Sequence, residues 1–367
     1  MYRRVAGVGL ALTMLVAGCG HSSSISQGPA TSSTPVPSVA TSSTRAASAT
    51  SQAARDLPDP HTLRGLTEVP ELPDPKPVEG SSAQKLPVTV TDVEGNKVTI
   101  KSTSRILALD LYGTLSRTLI GLGLGDKIVG RTVSSTEKQL HDRPVVTENG
   151  HVLNVEAVAG LKPSVIIADR SVGPKEALDQ LRKSGIPVVL VDPHRSVGST
   201  PQLIRTIADA VGKPDAGEAL VKRTQEQIDQ AKKQIAAWKP AKPMRVAFLY
   251  VRGNAGVFFI LGSENGANEL IQGVGADDVA SDKGITTLVP ANAESLVSIN
   301  PDAIFVMRDG LASTGGMKGL LARAGVANTT AGRKQRVISI PDGISLSFGP
   351  QTGEVLTAVA KALYGVK

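Results

Sequence analysis

The sequence predicts an α/β protein of two similar lobes joined by one long helix. Short β-branched runs alternate with helical stretches over most of the 367 residues, the rhythm of mainly parallel sheets covered on both faces. A second observation is an internal repeat. Leu153-Asn154-Val155-Glu156-Ala157-Val158 leads to Leu161-Lys162-Pro163-Ser164-Val165-Ile166-Ile167. Later, Ala291-Asn292-Ala293-Glu294-Ser295-Leu296 leads to Ile299-Asn300-Pro301-Asp302-Ala303-Ile304-Phe305. Asn, Glu and Pro keep identical offsets, and each unit reads as a helix, a proline and a buried strand. Third, residues 215–238 carry no Gly or Pro after Gly217, with Ile228, Ala231, Ile235 and Trp238 at helical spacing. At about 1.5 Å per residue, that helix would extend roughly 36 Å between the two copies.

From the N-terminus, Arg3-Arg4 precede an apolar stretch, residues 5–17, and small residues lead to Cys19, the only cysteine. These are the parts of a secretory signal peptide, residues 1–18, too short to span a bilayer. The ending Ala17-Gly18-Cys19 resembles the lipobox of bacterial lipoproteins, which implies that Cys19 is acylated and becomes the mature N-terminus. Residues 19–85 are rich in Ser, Thr, Ala and Pro, bury little apolar surface, and are expected to be a disordered tether. His21 and His61 fall within it and are discounted as ligands. Order is expected from about Leu86, with a hairpin around Glu94-Gly95-Asn96. An N-terminal lobe over 86–213 would hold strands at 106–109, 164–168 and 188–191, with helices at 114–122 and 175–184. The connecting helix is assigned to 214–240. A C-terminal lobe over 241–367 would hold strands at 245–251, 257–260, 303–307 and 337–340.

Composition narrows the function. The formal charge is +7, but both signs are interspersed and no concentrated cationic face is visible, which argues against nucleic acid. With Cys19 committed to lipid, neither an intramolecular disulfide nor a thiolate metal site is available. No nucleophile elbow, His-Glu-x-x-His helix or complete phosphate loop is present. The run Gly121-Leu122-Gly123-Leu124-Gly125 ends a helix instead. The expectation is a non-enzyme with no catalytic cofactor.

A metal-bearing ligand would have to be held by His, Tyr, Met or carboxylates. The folded region offers His141, His151 and His194, and Tyr112, Tyr250 and Tyr364. His151 lies in the loop Asn149-Gly150-His151-Val152, just before the first repeat unit. Tyr250 ends the opening strand of the second half, and open α/β sheets place ligands at the carboxyl ends of strands. Arg252 follows at strand period two, on the same side as Tyr250. A phenol with pKa near 10 is a poor ligand at neutral pH, and a neighbouring guanidinium favours the phenolate that suits ferric iron.

An acylated, tethered, two-lobed protein with a helical connector resembles the helix-linked, class III periplasmic-binding-protein lipoproteins of ABC importers for siderophores, haem and cobalamin. The resemblance runs from Leu86 to Tyr364 and rests on Gly123-Leu124-Gly125-Asp126-Lys127-Ile128-Val129-Gly130-Arg131 and the two Asn-x-Glu…Pro units. It implies two Rossmann-like lobes, with Glu156 and Glu294 docking onto arginines of a permease dimer driven by a cytoplasmic ATPase. The trio His151 and Tyr250-x-Arg252 resembles the haem-binding lipoproteins of corynebacterial haem importers. That implies axial iron ligands His151 and Tyr250, Arg252 bonded to the phenol, and haem as the transported ligand. The protein would be a monomer on the outer face of the cytoplasmic membrane. A siderophore or cobalamin binder of the same class stays open, as does an exported enzyme or a surface interaction protein. Tyr112 and Phe258 are left as undecided ligand contacts.

Overall fold

Short, mostly apolar runs flanked by charged or polar residues or by proline become strands buried on both faces, as parallel sheets require. The structure is a computed structural model and describes residues 57–79, 84–253 and 256–367. The signal peptide, Cys19 and the tether up to residue 56 lie outside the described residues. The first sheet is four-stranded and parallel, in the order Ile128–Gly130, Ile106–Leu109, Val165–Ala168, Val188–Leu190. The second has seven strands. Leu66–Glu68, Val337–Ile340, Ala303–Met307 and Arg245–Arg252 run parallel in that order. Val257–Ile260 then turns back antiparallel beside Arg245–Arg252, and Asp277–Asp278 pairs with that strand's start. The expected hairpin is formed by Val88–Thr91 and Lys97–Ile100.

The repeat is structural as well as textual. Asn154 accepts from the Ala157 N–H at 2.8 Å, capping the helix Val155–Gly160, and Asn292 accepts from the Ser295 N–H at 2.9 Å, capping Ala293–Ile299. Such caps satisfy orphan donors of the first turn. Lys162 and Asn300 then both turn left-handed, at φ 45° and 35°, before Pro163 and Pro301. Each unit delivers a strand that pairs with an earlier strand of its own half, Ile106–Leu109 or Arg245–Arg252.

The connecting helix runs Pro214–Trp238, with Leu220, Ile228, Ala231 and Ile235 buried. It packs on the helices Thr200–Ala210 and Thr352–Tyr364, one from each half. A further contact crosses between the halves, where Val197 N–H donates to Glu269 at 3.1 Å, and Thr224 Oγ1 of the connecting helix donates to the Pro350 carbonyl at 3.5 Å.

The expected tether is corrected over 57–79. That segment is an ordered strap across both halves. Leu66–Glu68 adds a parallel edge strand beside Val337–Ile340, and Val69 is fully buried. His61 hydrogen-bonds the Lys242 carbonyl at 3.0 Å. On the other half, Asp74 accepts from the N–H groups of Lys138 and Gln139 at 2.8 and 2.9 Å, and the Val78 N–H donates to the Gly121 carbonyl. Composition judged this stretch by its own apolar content. Its order comes from a sheet edge supplied by the far end of the chain.

Candidate functional site

Three parallel strands of the second sheet end side by side, and their last residues build one constellation. Tyr250 and Arg252 close Arg245–Arg252, Met307 closes Ala303–Met307, and Asp342 follows Val337–Ile340. Parallel pairing in register puts Leu249 beside Val306, and Met307 beside Ile340. Tyr250 is half-buried, on the face it shares with Phe248, Phe305 and Met307. The Arg252 guanidinium lies 5.3 Å from the centroid of the Tyr250 ring, within cation–π range. Its Nη2 donates to Asp342 Oδ1 at 2.6 Å and approaches Met307 Sδ at 3.4 Å. Burial works against the charge of Arg252, but the Asp342 carboxylate outweighs it, with Tyr250 adding to the effect, so the pKa is raised. This is a phenol with a fixed cation on its face.

Phe258 does not join this site. The hairpin register sets Tyr250 opposite Phe259 and Val251 opposite Phe258. Phe258 therefore points into the core on the other side of the sheet, under the Arg323 guanidinium at 5.5 Å. Phe259, half-buried, is the cross-strand neighbour of Tyr250 on its own face.

His151 is at the tip of a tight turn joining Thr147–Glu148 to Val152–Leu153. Asn149 and Gly150 both take positive φ, 48° and 89°, which Asn and Gly tolerate best. The turn is pinned by its backbone: Gly173 donates to the His151 carbonyl at 2.9 Å, and its own carbonyl accepts from Leu153 at 2.6 Å. The imidazole is exposed and makes no hydrogen bond among the described residues. No hydrogen bond or ring contact among the described residues joins it to Tyr250, so each half offers its own side chain. His141 and His194 are exposed beside Asp142 and Asp192, and Tyr364 is buried with its hydroxyl on the Val274 carbonyl at 2.7 Å.

The strand ends of the first sheet hold groups that sequence reasoning missed. Asp110 follows Ile106–Leu109 and Asp169 follows Val165–Ala168, and both are fully buried. The Arg195 guanidinium pairs with Asp169 and stands 3.7 Å from Asp110 Oδ2. Burial and the neighbouring Asp169 push Asp110 up to about 7, and burial raises Asp169 against the pull of Arg195 and Ser171. Tyr112 stacks over Arg195 at 5.7 Å and packs on the core of the second half, which places it at the seam. Burial and Asp169 raise its pKa, so it is a neutral phenol. A carboxylate directly after a buried strand was the signal available in the sequence.

Glu156 and Glu294 are exposed in the first turns of the two repeat helices. A groove of about 730 Å³ runs elsewhere, between the connecting helix and the C-terminal helix, and none of the residues above lines it. No helix among the described residues is long and apolar enough to cross a membrane.

Two α/β halves on one rigid helix, with side chains gathered at strand ends, define a helix-linked binding protein. The chain belongs to the periplasmic binding protein family, whose model matches residues 111–343. It is similar to the crystal structure of the heme binding protein HmuT, at 49% identity and TM-score 0.83, over 84% of this chain and 100% of that one. It is also similar to the apo periplasmic heme-binding protein RhuT from Roseiflexus sp. RS-1, at 32% identity and TM-score 0.67, over 72% and 99%. Among curated sequences, the uncharacterized ABC transporter substrate-binding lipoprotein YvrC of Bacillus subtilis is 27% identical over 76% of this chain and 86% of its own length. A cobalamin-binding protein of Halobacterium salinarum is 24% identical over 80% and 78%.

Proposed function

We propose that this protein captures ferric haem in the cleft between its halves and delivers it to an ABC importer. Tyr250 supplies a phenolate and His151 an imidazole to the iron, and Arg252 stabilises the phenolate charge. Haem is cargo here, and its ferric iron accepts Tyr or His ligands axially. The observation that carries this reading is the Arg252 guanidinium, held over Tyr250 by Asp342 at the carboxyl end of the sheet. It is supported by the relatives. Solved HmuT variants replace a histidine, a tyrosine and an arginine by alanine, at the same separations as His151, Tyr250 and Arg252 here.

The remaining parts of the proposal extend the family resemblance. Glu156 and Glu294 dock onto the two subunits of a permease coupled to a cytoplasmic ATPase, through charge-assisted pairing. Cys19 carries the lipid that keeps the protein, as a monomer, on the outer face of the cytoplasmic membrane. Nothing in this reading calls for catalysis. The test is titration of the purified protein with hemin, followed by visible spectroscopy. A shifted Soret band that changes in both Tyr250→Phe and His151→Ala is expected. No Soret shift, together with tight uptake of hydroxocobalamin, would replace haem by the cobalamin that the Halobacterium relative is named for.

A further inference from the structure

Asp342 is a member of the strand-end constellation that no motif assigns a task. Both of its oxygens are committed. Oδ1 takes Arg252 Nη2 at 2.6 Å, and Oδ2 takes the N–H of Asp309, in the first turn of the helix Arg308–Ser313, at 2.9 Å. The carboxylate is therefore held in one orientation by the backbone. The other side of the guanidinium is closed by the chain itself. A Cβ on Gly310 would fall 2.8 Å from Arg252 Nη1 and 2.5 Å from the Val251 carbonyl, so this wall admits only glycine. Met307 Sδ closes the third side at 3.4 Å. The guanidinium face lies over the Tyr250 ring, 5.3 Å from its centroid.

A free arginine side chain samples many rotamers, and an unanchored Arg252 would spend little time over the phenol. The Arg252–Asp342 pair is itself partly exposed, at 33% and 17%, and such pairs add little to stability. Its effect should therefore register at Tyr250 and hardly at all in folding.

We infer that Asp342 is the positioning residue of the site: it holds the Arg252 guanidinium against Tyr250 and so sets how strongly the phenol oxygen binds iron. The inference rests on the haem reading above and adds a residue to it.

The experiment compares the full-length protein with Asp342→Asn, Arg252→Ala and the double variant. Hemin is the probe, read by affinity, by the phenolate-to-iron charge-transfer band and by the haem reduction potential. Asn keeps the shape and can still accept from Asp309. Expected for Asp342→Asn are an affinity loss on the order of tenfold, a weakened charge-transfer band and a more positive potential. In the Arg252→Ala background the same substitution should change none of these. A native-like spectrum and affinity in Asp342→Asn overturns the inference, and so does an equal effect in both backgrounds, which would mark a merely structural role. If the native protein takes no hemin, the haem reading fails, and relaxation of the Arg252 Nε–H in the ligand-free protein decides the positioning alone. A rigid group that becomes mobile in Asp342→Asn supports it; one equally ordered in both refutes it.

Discussion

Arg117 of the first half donates to Gln351 of the second at 2.8 Å, and both side chains are buried. Its Nε also donates to the Gly343 carbonyl at 3.2 Å, and the guanidinium stands 3.6 Å from the fully buried Glu137 carboxylate. Burial raises the pKa of Glu137, and Arg117 is the main force pulling it back. One cation thus stitches the halves together and neutralises a buried acid.

Removing that cation leaves Glu137 unpaired in the interior. Breaking a buried pair in this way costs about 3 kcal/mol or more. Arg117→Ala should lower the urea midpoint accordingly, and adding Glu137→Gln should recover part of the loss. A midpoint unchanged in Arg117→Ala would mean that the pair contributes nothing.

The strap makes a different prediction. A chain shortened to begin at Gln84 loses Leu66–Glu68 and leaves Val337–Ile340, buried throughout, as an open sheet edge. Exposed apolar edges pair with other chains. The shortened protein should melt at a lower temperature and scatter light on standing. A monodisperse protein with the native melting temperature would show the strap to be dispensable.

Much of this architecture was legible in the chain, and the reasons are local. The strands Ile106–Leu109, Val257–Ile260 and Ala303–Met307 are unbroken apolar runs, Val337–Ile340 is broken only by Ser339, and the Asn caps mark both repeat helices. Tyr250-x-Arg252 was legible because strand period fixes the shared side. The strap was not, since its order depends on a strand paired from the other end of the sequence. Asp342 was hidden for the same reason, coming to Arg252 from another strand's end. Phe258 against Phe259 is a matter of register, and one residue of slip changes the face.

Asp110 predicts a pH dependence. Its carboxyl is raised from an ordinary 3.8 to about 7, first by burial and then by Asp169. Between those values the unfolded chain has released the proton while the folded protein still holds it. Its contribution to stability is therefore full below 3.8 and is lost as pH rises through about 7. Asp110→Asn should flatten the stability profile across this window and gain on the native protein as pH rises. Asp169 and Glu137, also raised, remain in the variant, so the slope shrinks without vanishing. Parallel profiles in urea unfolding at several pH values would rule out Asp110 as the source.

Under the proposed docking role, the two exposed glutamates would separate capture from delivery. Glu156 and Glu294 sit one residue inside Asn-capped helices, where an acid near the positive end of the macrodipole contributes about 0.3–1 kcal/mol. Neither touches Tyr250, Arg252 or Asp342, so alanine at both positions should leave hemin affinity and the visible spectrum unchanged. If the proposed docking holds, delivery should suffer, because each position faces solvent on its own half and would offer one carboxylate to one permease subunit. Haem-dependent growth of an iron-starved host, or ATPase stimulation in reconstituted permease, should fall at least tenfold in the double variant, about 1.4 kcal/mol of lost pairing. Each single variant should lie between the double variant and the native protein. Full ATPase stimulation by the double variant would remove both glutamates from the docking surface while leaving the haem site untouched.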